Sequence, residues 1–410
     1  MALPSLPNLR RIFASARTSE QERFVSRQAF FRFVTFLTSM SVPATMQALV
    51  TADVHTAKVQ LVDTPKPDPS SEALIKILSV TLNPTDWKHV EFISPPGKVV
   101  GCDFTGQIVS LPSSSKAPYH NLSVGDRVAG FVHGSFSDHG SFAEYLALEP
   151  ELLVKVPENV SSEVAAGVGI GGSTAAQALF DPTRLGLQLP KPTDSLPPID
   201  SSLPPVLIWS GSSSVGQWGI QLARAAGYYV ITTASPKNHE LVKSLGASEA
   251  YDYRDEKTPE TISNKHPNLG LALDCVSENG TQSLVVQSLG KDVSALPEGK
   301  GRVVVLLKPE KEAIALREDV SIIHTLIYSA LGHPFTYGRS SYSEEQVSED
   351  KRNLAPFQSG DGLFTALFAK GLIKGNKTVL CEGGLHGILD GFKRQKAGLS
   401  AEKLAYTISV

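Results

Sequence analysis

The pattern of apolar and polar positions is most informative in one stretch near the middle of the chain. Val206–Trp209 is an apolar run without alternation, which is typical of a strand buried on both faces of a parallel sheet. A loop of small residues, Ser210–Gly216, follows it, and Gln217–Ala226 then places apolar residues at helical spacing. Tyr228–Thr233 is a second strand candidate. This order predicts a βαβ unit, which can bind a dinucleotide pyrophosphate at its helix N-terminus.

The region before this unit has a different pattern. Between Met46 and about Gly172, short strand-like segments alternate with turn signals, which predicts a compact, barrel-like β domain. Ser162–Ala178 then becomes small and helical and leads towards the second domain. The strand candidates are Ala73–Val80, Phe104–Val109, Arg127–Phe131, Glu144–Leu148 and Leu152–Val156.

After the βαβ unit, helical and strand-like segments alternate, which predicts a doubly wound α/β sheet. The polar stretch Ser341–Lys351 is expected to be a loop, and the Pro- and Ser-rich stretch Leu185–Pro205 a surface insertion. The helix candidates are Asn238–Leu245, Gly280–Leu289, Ile322–Leu331, Leu363–Lys370 and Leu385–Lys396, and the strand candidates are Glu249–Tyr253, Leu271–Cys275, Arg302–Leu307 and Lys403–Ser409.

The turn of the βαβ unit follows the glycine pattern of dinucleotide-binding folds only in part. Ser214 stands at the first glycine position, whereas Gly216 and Gly219 keep the second and third. Gly216 lets the backbone approach a pyrophosphate, and Gly211 supplies an earlier hinge. The residues predicted to bind the cofactor here are Gly211, Ser213, Ser214, Val215 and Gly216.

The end of the second strand indicates which nucleotide binds. NAD-dependent proteins place a carboxylate there for the ribose 2′-hydroxyl, but Thr233–Asn238 contains none. Ser235 and Lys237 can instead donate hydrogen bonds to a 2′-phosphate. Asn238 and Tyr253 are predicted to join them, so NADPH is the predicted cofactor.

Composition excludes several classes of protein. The chain has 410 residues, enough for two domains, with 19% charged residues and a formal net charge of −3. No nucleic-acid partner is therefore expected, and no apolar run is long enough to span a membrane. Three scattered cysteines are too few for a disulfide scaffold, which favours a reducing compartment.

Residues 1–45 differ from the rest of the chain. They contain six arginines, no lysine and several serines, a composition that fits a mitochondrial presequence. The alternative, which we favour slightly, is a start codon placed too early, because Met46 begins a strand-like segment suited to an N-terminus. The expected compartment is the cytoplasm, or the mitochondrion if the presequence is genuine.

Several motifs in a fixed order carry a family resemblance over residues 46–410. With Asn83–Lys88, Gly101–Gly106, Val124–Val128 and Gly140–Tyr145, the chain resembles the medium-chain dehydrogenase/reductase superfamily. Within it, the chain is most similar to the zinc-free, NADPH-dependent fungal enoyl reductases that serve polyketide synthases in trans, and to their toxin-cluster relatives. The features shared with that branch are Asn83–Lys88, Ser173–Ala175, the Pro-rich insertion, Ala234–Asn238, Leu273–Cys275 and Tyr337–Arg339.

This resemblance implies a domain organisation. Residues 46–172 would form a GroES-like catalytic domain, residues 173–332 a Rossmann NADPH-binding domain, and residues 333–410 a return to the catalytic domain. The active site would lie in the cleft between the domains. Leu306 and Arg339 complete the predicted cofactor-binding residues. Arg339, with Tyr337, would form a loop over the cofactor phosphate or the substrate, or a structural turn.

The resemblance bears on a metal as well. Zinc alcohol dehydrogenases of this fold have a Cys where Asn83 stands and a His where Cys102 stands. A catalytic zinc needs three N, S or O ligands held together, and these positions do not supply them. We therefore expect no zinc, and expect Cys102 to pack beside the first strands.

Without a metal, the chemistry that fits a nicotinamide is reduction of a carbon–carbon double bond conjugated to a carbonyl. The candidate catalytic residues are Lys88, Thr174 and Asn83. Lys88 would stabilise the enolate or supply a proton, or is a surface lysine. Thr174 would lie against the nicotinamide and acyl chain, or cap a helix, and Asn83 would bond substrate or backbone. His133 and His139 are interpreted as loop histidines, because no partner spacing supports a triad.

Three functions stay open at this point. The leading one is an NADPH-dependent enoyl reductase acting on a small-molecule or carrier-protein-bound enoyl substrate. The alternatives are a quinone or free enal/enone reductase of the same fold and a non-catalytic NADPH-binding protein. A monomer is favoured, because Leu331–Pro334 would break the edge strand through which relatives pair.

Overall fold

A computed structural model describes residues 42–52, 55–113, 121–136 and 139–408 of the chain. The chain divides into two units, Met1–Ala44 and Thr45–Val410, and the elements below belong to the second. The presequence or early start predicted at residues 1–45 therefore lies almost wholly outside the described residues. Within the described ranges, no helix is long and apolar enough to cross a membrane.

The region before the βαβ unit is rich in short strands, as predicted. Two of the predicted strands are confirmed closely, since β3 extends the expected range by one residue and β5 coincides with it. The elements are β1 (Thr45–Ala52), β2 (Thr56–Asp63), β3 (Ala73–Thr81), α1 (Pro84–Phe92), β4 (Asp103–Ser110), β5 (Arg127–Phe131), β6 (Tyr145–Leu148), β7 (Val154–Lys155), α2 (Ser162–Ala166) and α3 (Ser173–Phe180).

The middle of the chain forms a six-stranded, fully parallel sheet. Its elements are β8 (Val206–Trp209), α4 (Ser214–Ala225), β9 (Val230–Thr233), α5 (His239–Ser244), β10 (Glu249–Tyr251), α6 (Thr258–Lys265), β11 (Leu271–Asp274), α7 (Thr281–Ser288), β12 (Gly301–Val305), α8 (Lys311–Ile314) and β13 (Val320–His324). The strand order β10-β9-β8-β11-β12-β13 is that of a Rossmann fold, so the predicted fold class is confirmed. The order reverses between β8 and β11, and ligands of such sheets bind beyond the carboxyl ends of the strands at that point.

The last part of the chain returns to the first. Its elements are β14 (Phe335–Tyr337), β15 (Ser340–Tyr342), α9 (Glu344–Leu354), α10 (Leu363–Ala369), β16 (Thr378–Cys381), α11 (Gly384–Lys396) and β17 (Lys403–Thr407). The final strand, β17, pairs antiparallel with β3, so the sheet order there is β16-β17-β3-β4-β5-β7, with β6 also on β3.

Two predicted elements are wrong. The apolar run Ile322–Leu331, expected to be a helix, is split between β13, which pairs with β12, and a short 3₁₀ turn at Ile327–Leu331. An apolar run without clear periodicity does not distinguish a buried strand from a helix. The expected loop Ser341–Lys351 contains the end of β15 and most of α9. That helix is polar over most of its surface, and its cap is Ser343, whose side chain accepts a hydrogen bond from the Gln346 backbone at 3.3 Å.

The edge of the parallel sheet also differs from expectation. The edge strands are β10 and β13, and β13, the one that precedes Leu331–Pro334 in the chain, contains neither Gly nor Pro. Leu331–Pro334 lies beyond this strand and does not interrupt it. A monomer is therefore not favoured on that ground.

Candidate active site

The loop after β8 is packed too tightly for side chains at two of its positions. A Cβ at Gly211 would lie 2.0 Å from Thr232 Oγ1, and one at Gly216 would lie 2.3 Å from the Ser210 carbonyl oxygen. Ser210 itself adopts a left-handed conformation with φ of 64°. Both glycines are thus required by the packing of the loop against the helix and the neighbouring strand.

The N-terminus of α4 presents free donors at this loop. Ser213 caps the helix, its hydroxyl accepting a hydrogen bond from the Gly216 backbone at 3.1 Å. The backbone N–H groups of Ser214 and Val215 donate to no residue in the described part of the chain. Unsatisfied donors at a helix N-terminus favour an anion such as a pyrophosphate. The loop therefore fits a dinucleotide, although no ligand contact tests the five residues predicted here.

A segment from the C-terminal part of the chain holds this helix in place. Asn376 Oδ1 accepts hydrogen bonds from Trp218 Nε1 at 2.9 Å and from Ser214 Oγ at 3.0 Å, and Asn376 Nδ2 donates to the Ser214 carbonyl at 3.0 Å. Asn376 is 4% exposed. The Ser214 hydroxyl is therefore engaged by Asn376, and the backbone N–H of Ser214 is the donor left for a ligand.

The end of β9 carries the residues predicted to choose the nucleotide. Asn238 Nδ2 donates to Ser235 Oγ at 3.2 Å and to Ser400 Oγ at 3.2 Å. Lys237 is exposed and forms no ion pair with a described residue. Tyr253 is 45% exposed, in the loop after β10.

In the loop after β10, the carboxylate of Asp252 is already paired with a cation. Asp252 accepts from Arg254 Nε at 3.0 Å and from Nη2 at 2.9 Å, and these hydrogen bonds lower the pKa of Asp252. The Arg254 guanidinium also lies 5.8 Å from the Tyr253 ring centre. The charge of Asp252 is thus balanced by Arg254.

Two other predicted cofactor residues, Leu306 and Arg339, lie outside the β8 loop and the end of β9. The Leu306 backbone N–H, beyond β12, already donates to Ser277 Oγ at 2.8 Å. Arg339 is exposed in the two-residue loop between β14 and β15. No contact in the structure tests a cofactor role for either residue.

Asn83, at one of the positions that hold zinc ligands in alcohol dehydrogenases, belongs to a buried polar centre. Lys403 Nζ, on β17, lies 3.0 Å from Asp103 Oδ2, and the two side chains are 4% and 0% exposed. Lys403 also donates to Asn83 Oδ1. Asp103 further accepts from Thr81 Oγ1 at 2.8 Å and from the Ile170 backbone at 2.5 Å. One ion pair therefore joins β17, β3, the start of α1 and the segment before α3.

Two atoms of this centre have no partner among the described residues. They are Asn83 Nδ2 and Asp86 Oδ1, both buried. Burial raises the pKa of Asp86 to about 7, and the charge of Asp103 adds to the rise, while a hydrogen bond from the Asn83 backbone opposes it. Asp86 is thus a buried carboxyl that titrates near neutral pH.

This donor set does not fit a zinc ion. An ammonium group lies between Asn83 and Asp103, where it would repel a divalent cation. The Cys102 Sγ lies 3.4 Å from the Tyr328 hydroxyl, and burial raises the pKa of this thiol well above its usual range. Among the described residues, no group of three His, Cys, Asp or Glu side chains is arranged to hold a metal.

The other two candidate catalytic residues, Lys88 and Thr174, lie on helices that begin close to this centre. Lys88 is on α1, and its Nζ lies 3.9 Å from Glu278 Oε2, in the loop after β11. This contact therefore connects the strand-rich region with the carboxyl edge of the parallel sheet. Thr174 is 6% exposed and is the second residue of α3, so it does not cap the helix, whose N-cap is Gly172.

His133 lies in the loop after β5, as predicted, but its side chain is buried. It is 5% exposed, and its ring stacks on Tyr328 with centroids 3.6 Å apart and on Phe136 at 4.4 Å. Burial lowers the pKa of His133 to about 2, so the ring is neutral. His139 is half-buried.

Sequence reasoning missed several of these residues. Asp86, His89 and Tyr328 carry no spacing signal, and Lys403 reads as a surface lysine in a closing strand. The motif Asn83–Lys88 is the one sequence signal that includes Asp86.

Comparisons with known proteins agree with this architecture. The chain matches the alcohol dehydrogenase GroES-like domain at residues 69–158 and the zinc-binding dehydrogenase family at residues 214–319. Residues 6–45, most of which lie outside the described ranges, match the family ERMES regulator 1.

Curated relatives extend the likeness over most of the chain. The trans-enoyl reductase TOXD of Cochliobolus carbonum is 39% identical over 267 residues, which is 64% of this chain and 82% of the relative. The trans-enoyl reductase thnE of Trichoderma harzianum is 33% identical over 331 residues, 78% of this chain and 84% of the relative.

Solved structures share the fold. An alcohol dehydrogenase superfamily protein from Novosphingobium aromaticivorans has a TM-score of 0.67 at 19% identity, covering 89% of this chain and 100% of its own. The CurK enoyl reductase has a TM-score of 0.63 at 17% identity, covering 90% of this chain and 100% of its own. From the sheet order, the family matches and relatives at this identity, the protein belongs to the medium-chain dehydrogenase/reductase superfamily of nicotinamide-dependent oxidoreductases and is a homologue of the fungal trans-enoyl reductases.

Proposed function

We propose that this protein uses NADPH to reduce the carbon–carbon double bond of an enoyl thioester without a metal, acting in trans with a polyketide-type synthase. Homology with enzymes named trans-enoyl reductases at 30–39% identity supports the reaction class. The carrier-bound form of the substrate is part of the proposal.

The observation that carries the proposal is the buried ion pair Lys403–Asp103 beside Asn83. It brings an ammonium group against Asn83, the position at which zinc alcohol dehydrogenases of this fold carry a cysteine ligand. Reduction of an isolated carbonyl needs strong polarisation of its oxygen, whereas reduction of a conjugated double bond spreads the developing charge over an enolate. Ordinary hydrogen-bond donors stabilise such a charge when they are preorganised in a site that excludes water.

The proposed cofactor contacts follow from the described loop and strand ends. The backbone of Gly211–Gly216 and the first turn of α4 would hold the pyrophosphate, and Ser235, Lys237, Asn238 and Tyr253 would hold the 2′-phosphate. Leu306 and Arg339 would also contact the cofactor, Leu306 through groups other than its backbone N–H, which is bonded to Ser277.

The proposed catalytic roles concern the developing enolate. A bound reduced nicotinamide supplies a hydride to the β-carbon of the substrate. Lys88 would then stabilise the negative charge on the thioester oxygen, and Thr174 would position the acyl chain. Asn83 would act indirectly, because its side-chain oxygen is occupied by Lys403 and its backbone N–H donates to Asp86 at 2.7 Å.

The cofactor preference is tested by titrating the full chain with NADPH and NADH while following cofactor fluorescence. We expect NADPH to bind more tightly, and we expect Lys237→Ala and Ser235→Ala to lower the affinity for NADPH but not for NADH. Lys243→Ala is the matched control, since this lysine lies on the neighbouring helix and pairs with Glu240 at 3.8 Å. Equal binding of both cofactors would contradict the assignment.

The reaction is tested by NADPH oxidation with a panel of enoyl thioesters, free enones and quinones. Turnover of the thioesters, with a further gain when the acyl chain is tethered to a carrier protein, supports the proposal. Turnover of quinones or free enones alone would make the protein a reductase of electrophiles. Cofactor binding without any turnover would make it a non-catalytic NADPH-binding protein.

A further inference from the structure

Helix α1 carries exposed apolar side chains at its C-terminal end. Phe92 is the last residue of the helix and is 70% exposed, and Ile93, which follows it, is 44% exposed. Trp87 is half-buried, and its ring meets the Phe92 ring edge to face, with centroids 6.3 Å apart. Single exposed apolar residues are ordinary, whereas neighbouring large ones are typical of an interaction surface.

This apolar cluster is continuous with the candidate active site. Lys88 Nζ lies 5.7 Å from the Trp87 ring centre and 3.9 Å from Glu278 Oε2, in the loop after β11. Phe92 follows Lys88 by four residues, so the two side chains lie on the same side of α1. The cluster therefore begins where α1 meets the carboxyl edge of the parallel sheet and extends away from it along the helix.

A second helix adds positive charge to the cluster. Lys396 Nζ, from the last turn of α11, lies 5.6 Å from the Trp87 ring centre. The same turn carries Lys393 and Arg394. Arg394 donates to Cys381 Sγ at 3.2 Å and forms no ion pair within the described residues. We call the following set the α1 surface: Trp87, Lys88, Phe92, Ile93 and Lys396.

Carboxylates lie beside the lysines but hold them weakly. Each lysine has one carboxylate partner, the pairs being Lys88–Glu278, Lys396–Glu91 and Lys393–Asp390. Both partners of each pair are partly exposed, and pairs in contact with water contribute little stability. The lysines are therefore available to anions of a partner, and Arg394 adds a cation that no carboxylate balances.

Resting on the function proposed above, we propose that the α1 surface docks the acyl carrier protein that delivers the enoyl thioester. Such carriers are small acidic proteins whose acyl chain hangs from an anionic phosphopantetheine arm. Phe92 and Ile93 would be the apolar anchor, and the surrounding cations would face the acidic side of the carrier. The arm would then enter beside Lys88, at the end of the surface next to the sheet.

The position of the surface favours this occupant over the other two that fit its chemistry. A second copy of the chain or an anionic membrane could also bind exposed aromatic rings flanked by lysines. Either of them would cover the approach to Lys88 along α1, whereas a carrier binds and leaves with each acyl chain. A small apolar centre with a charged rim is also the composition of a transient interface.

The test presents one acyl group in two forms, crotonyl on an acidic acyl carrier protein and crotonyl on N-acetylcysteamine, to the full chain at saturating NADPH. Phe92→Glu should raise KM for the carrier-bound thioester about tenfold, because the interface loses an aromatic anchor and gains a carboxylate. Its kcat and KM for the small thioester should stay within about twofold of the parent. Ile314→Glu is the matched control, since this residue is 52% exposed on α8.

The charge of the surface is tested with Lys393→Glu, whose side chain is exposed. In the parent, KM for the carrier-bound thioester should rise with salt, and this rise should be smaller in Lys393→Glu. The small thioester is uncharged, so salt should leave its KM unchanged. Lys370→Glu is the control, since this exposed lysine pairs with Asp194 of the Pro-rich insertion at 2.6 Å.

The outcomes separate this inference from the function on which it rests. If the parent does not prefer the carrier-bound form, or if Phe92→Glu affects both thioesters equally, the docking surface is wrong and the reductase activity stands. If Phe92→Glu instead dissociates a dimer in sedimentation, or releases the chain from phosphatidylserine vesicles, with KM for the carrier unchanged, another occupant covers the surface and the inference is overturned. Absence of any enoyl turnover by the parent would overturn both the proposed function and the carrier surface.

Discussion

The buried ion pair Lys403–Asp103 provides the sharpest test of how this fold is held together. Replacing Lys403 by Met keeps an unbranched side chain of similar length but removes the ammonium. Asp103 then stays buried with only Thr81 and the Ile170 backbone as donors. Because Ile170 lies just before α3 and Asn83 just before α1, loosening this centre disturbs the supports of both Thr174 and Lys88.

The magnitude follows from the burial of both partners. At 3.0 Å and an effective dielectric constant of about 20, the attraction between two unit charges is about 5 kcal/mol. Desolvation of both ions offsets much of this, so the pair itself adds little net stability. Removing one partner leaves the other charge buried, which costs about 3–5 kcal/mol. We therefore expect Lys403→Met to lower the free energy of unfolding by that amount.

The assay is urea unfolding followed by tryptophan fluorescence, with a double-variant cycle. Asp103→Asn alone should destabilise by a similar amount, and the double variant Lys403→Met/Asp103→Asn should recover part of the loss, because no unpaired charge remains. The matched control is Lys393→Met, which breaks a pair with Asp390 of nearly equal length, 2.8 Å, whose side chains are 75% and 76% exposed. That variant should change stability little. Equal losses in Lys403→Met and Lys393→Met would refute the reasoning.

Further predictions concern the cofactor loop and the dependence of stability on pH. Gly216→Ala should weaken NADPH binding at least about tenfold, or about 1.4 kcal/mol, because its Cβ would lie 2.3 Å from a carbonyl oxygen. Asp86 has a pKa of about 7 in the folded protein, above its unfolded value, so its contribution to stability falls as pH rises from about 4 to about 7. The free energy of unfolding of Asp86→Asn, relative to that of the parent, should therefore rise by about 3 kcal/mol from pH 5 to pH 8. His133 has a folded pKa of about 2, so the unfolded state takes up a proton first as pH falls below about 6.5. His133→Phe preserves the stacking and removes the titrating group. Its free energy of unfolding, relative to that of the parent, should therefore be about 2 kcal/mol higher at pH 5 than at pH 8.

Each of these predictions has its own check. Gly219→Ala lies in the same helix, where the new Cβ would be 3.4 Å from Ile208, and should leave NADPH affinity unchanged. For Asp86→Asn and His133→Phe, the measurement is urea unfolding of variant and parent at both pH values. As the pH falls from 8 to 5, the stability of Asp86→Asn relative to the parent should fall and that of His133→Phe relative to the parent should rise. A change in the same direction for both variants would contradict the assigned pKa directions.

Sequence patterns predicted most of the architecture because those patterns are local. A strand buried on both faces has to be apolar throughout, and a tight turn between strand and helix needs glycine. Hence the βαβ unit at Val206–Thr233 and the need for Gly211 and Gly216 are visible without the structure. The failures have a local cause as well, since the run Ile322–Leu331 has no period that separates strand from helix.

The chain by itself therefore determined the fold class, the glycine-bearing turn after Val206–Trp209 and the absence of a carboxylate between Thr233 and Asn238. The tertiary structure alone decided which polar side chains are buried and with what partner. Lys403 and Asn83 are 320 positions apart, and no local pattern marks that lysine as buried. The reason is physical: a charged group stays in the interior only when distant segments bring it a partner, and that pairing is a property of the packed molecule.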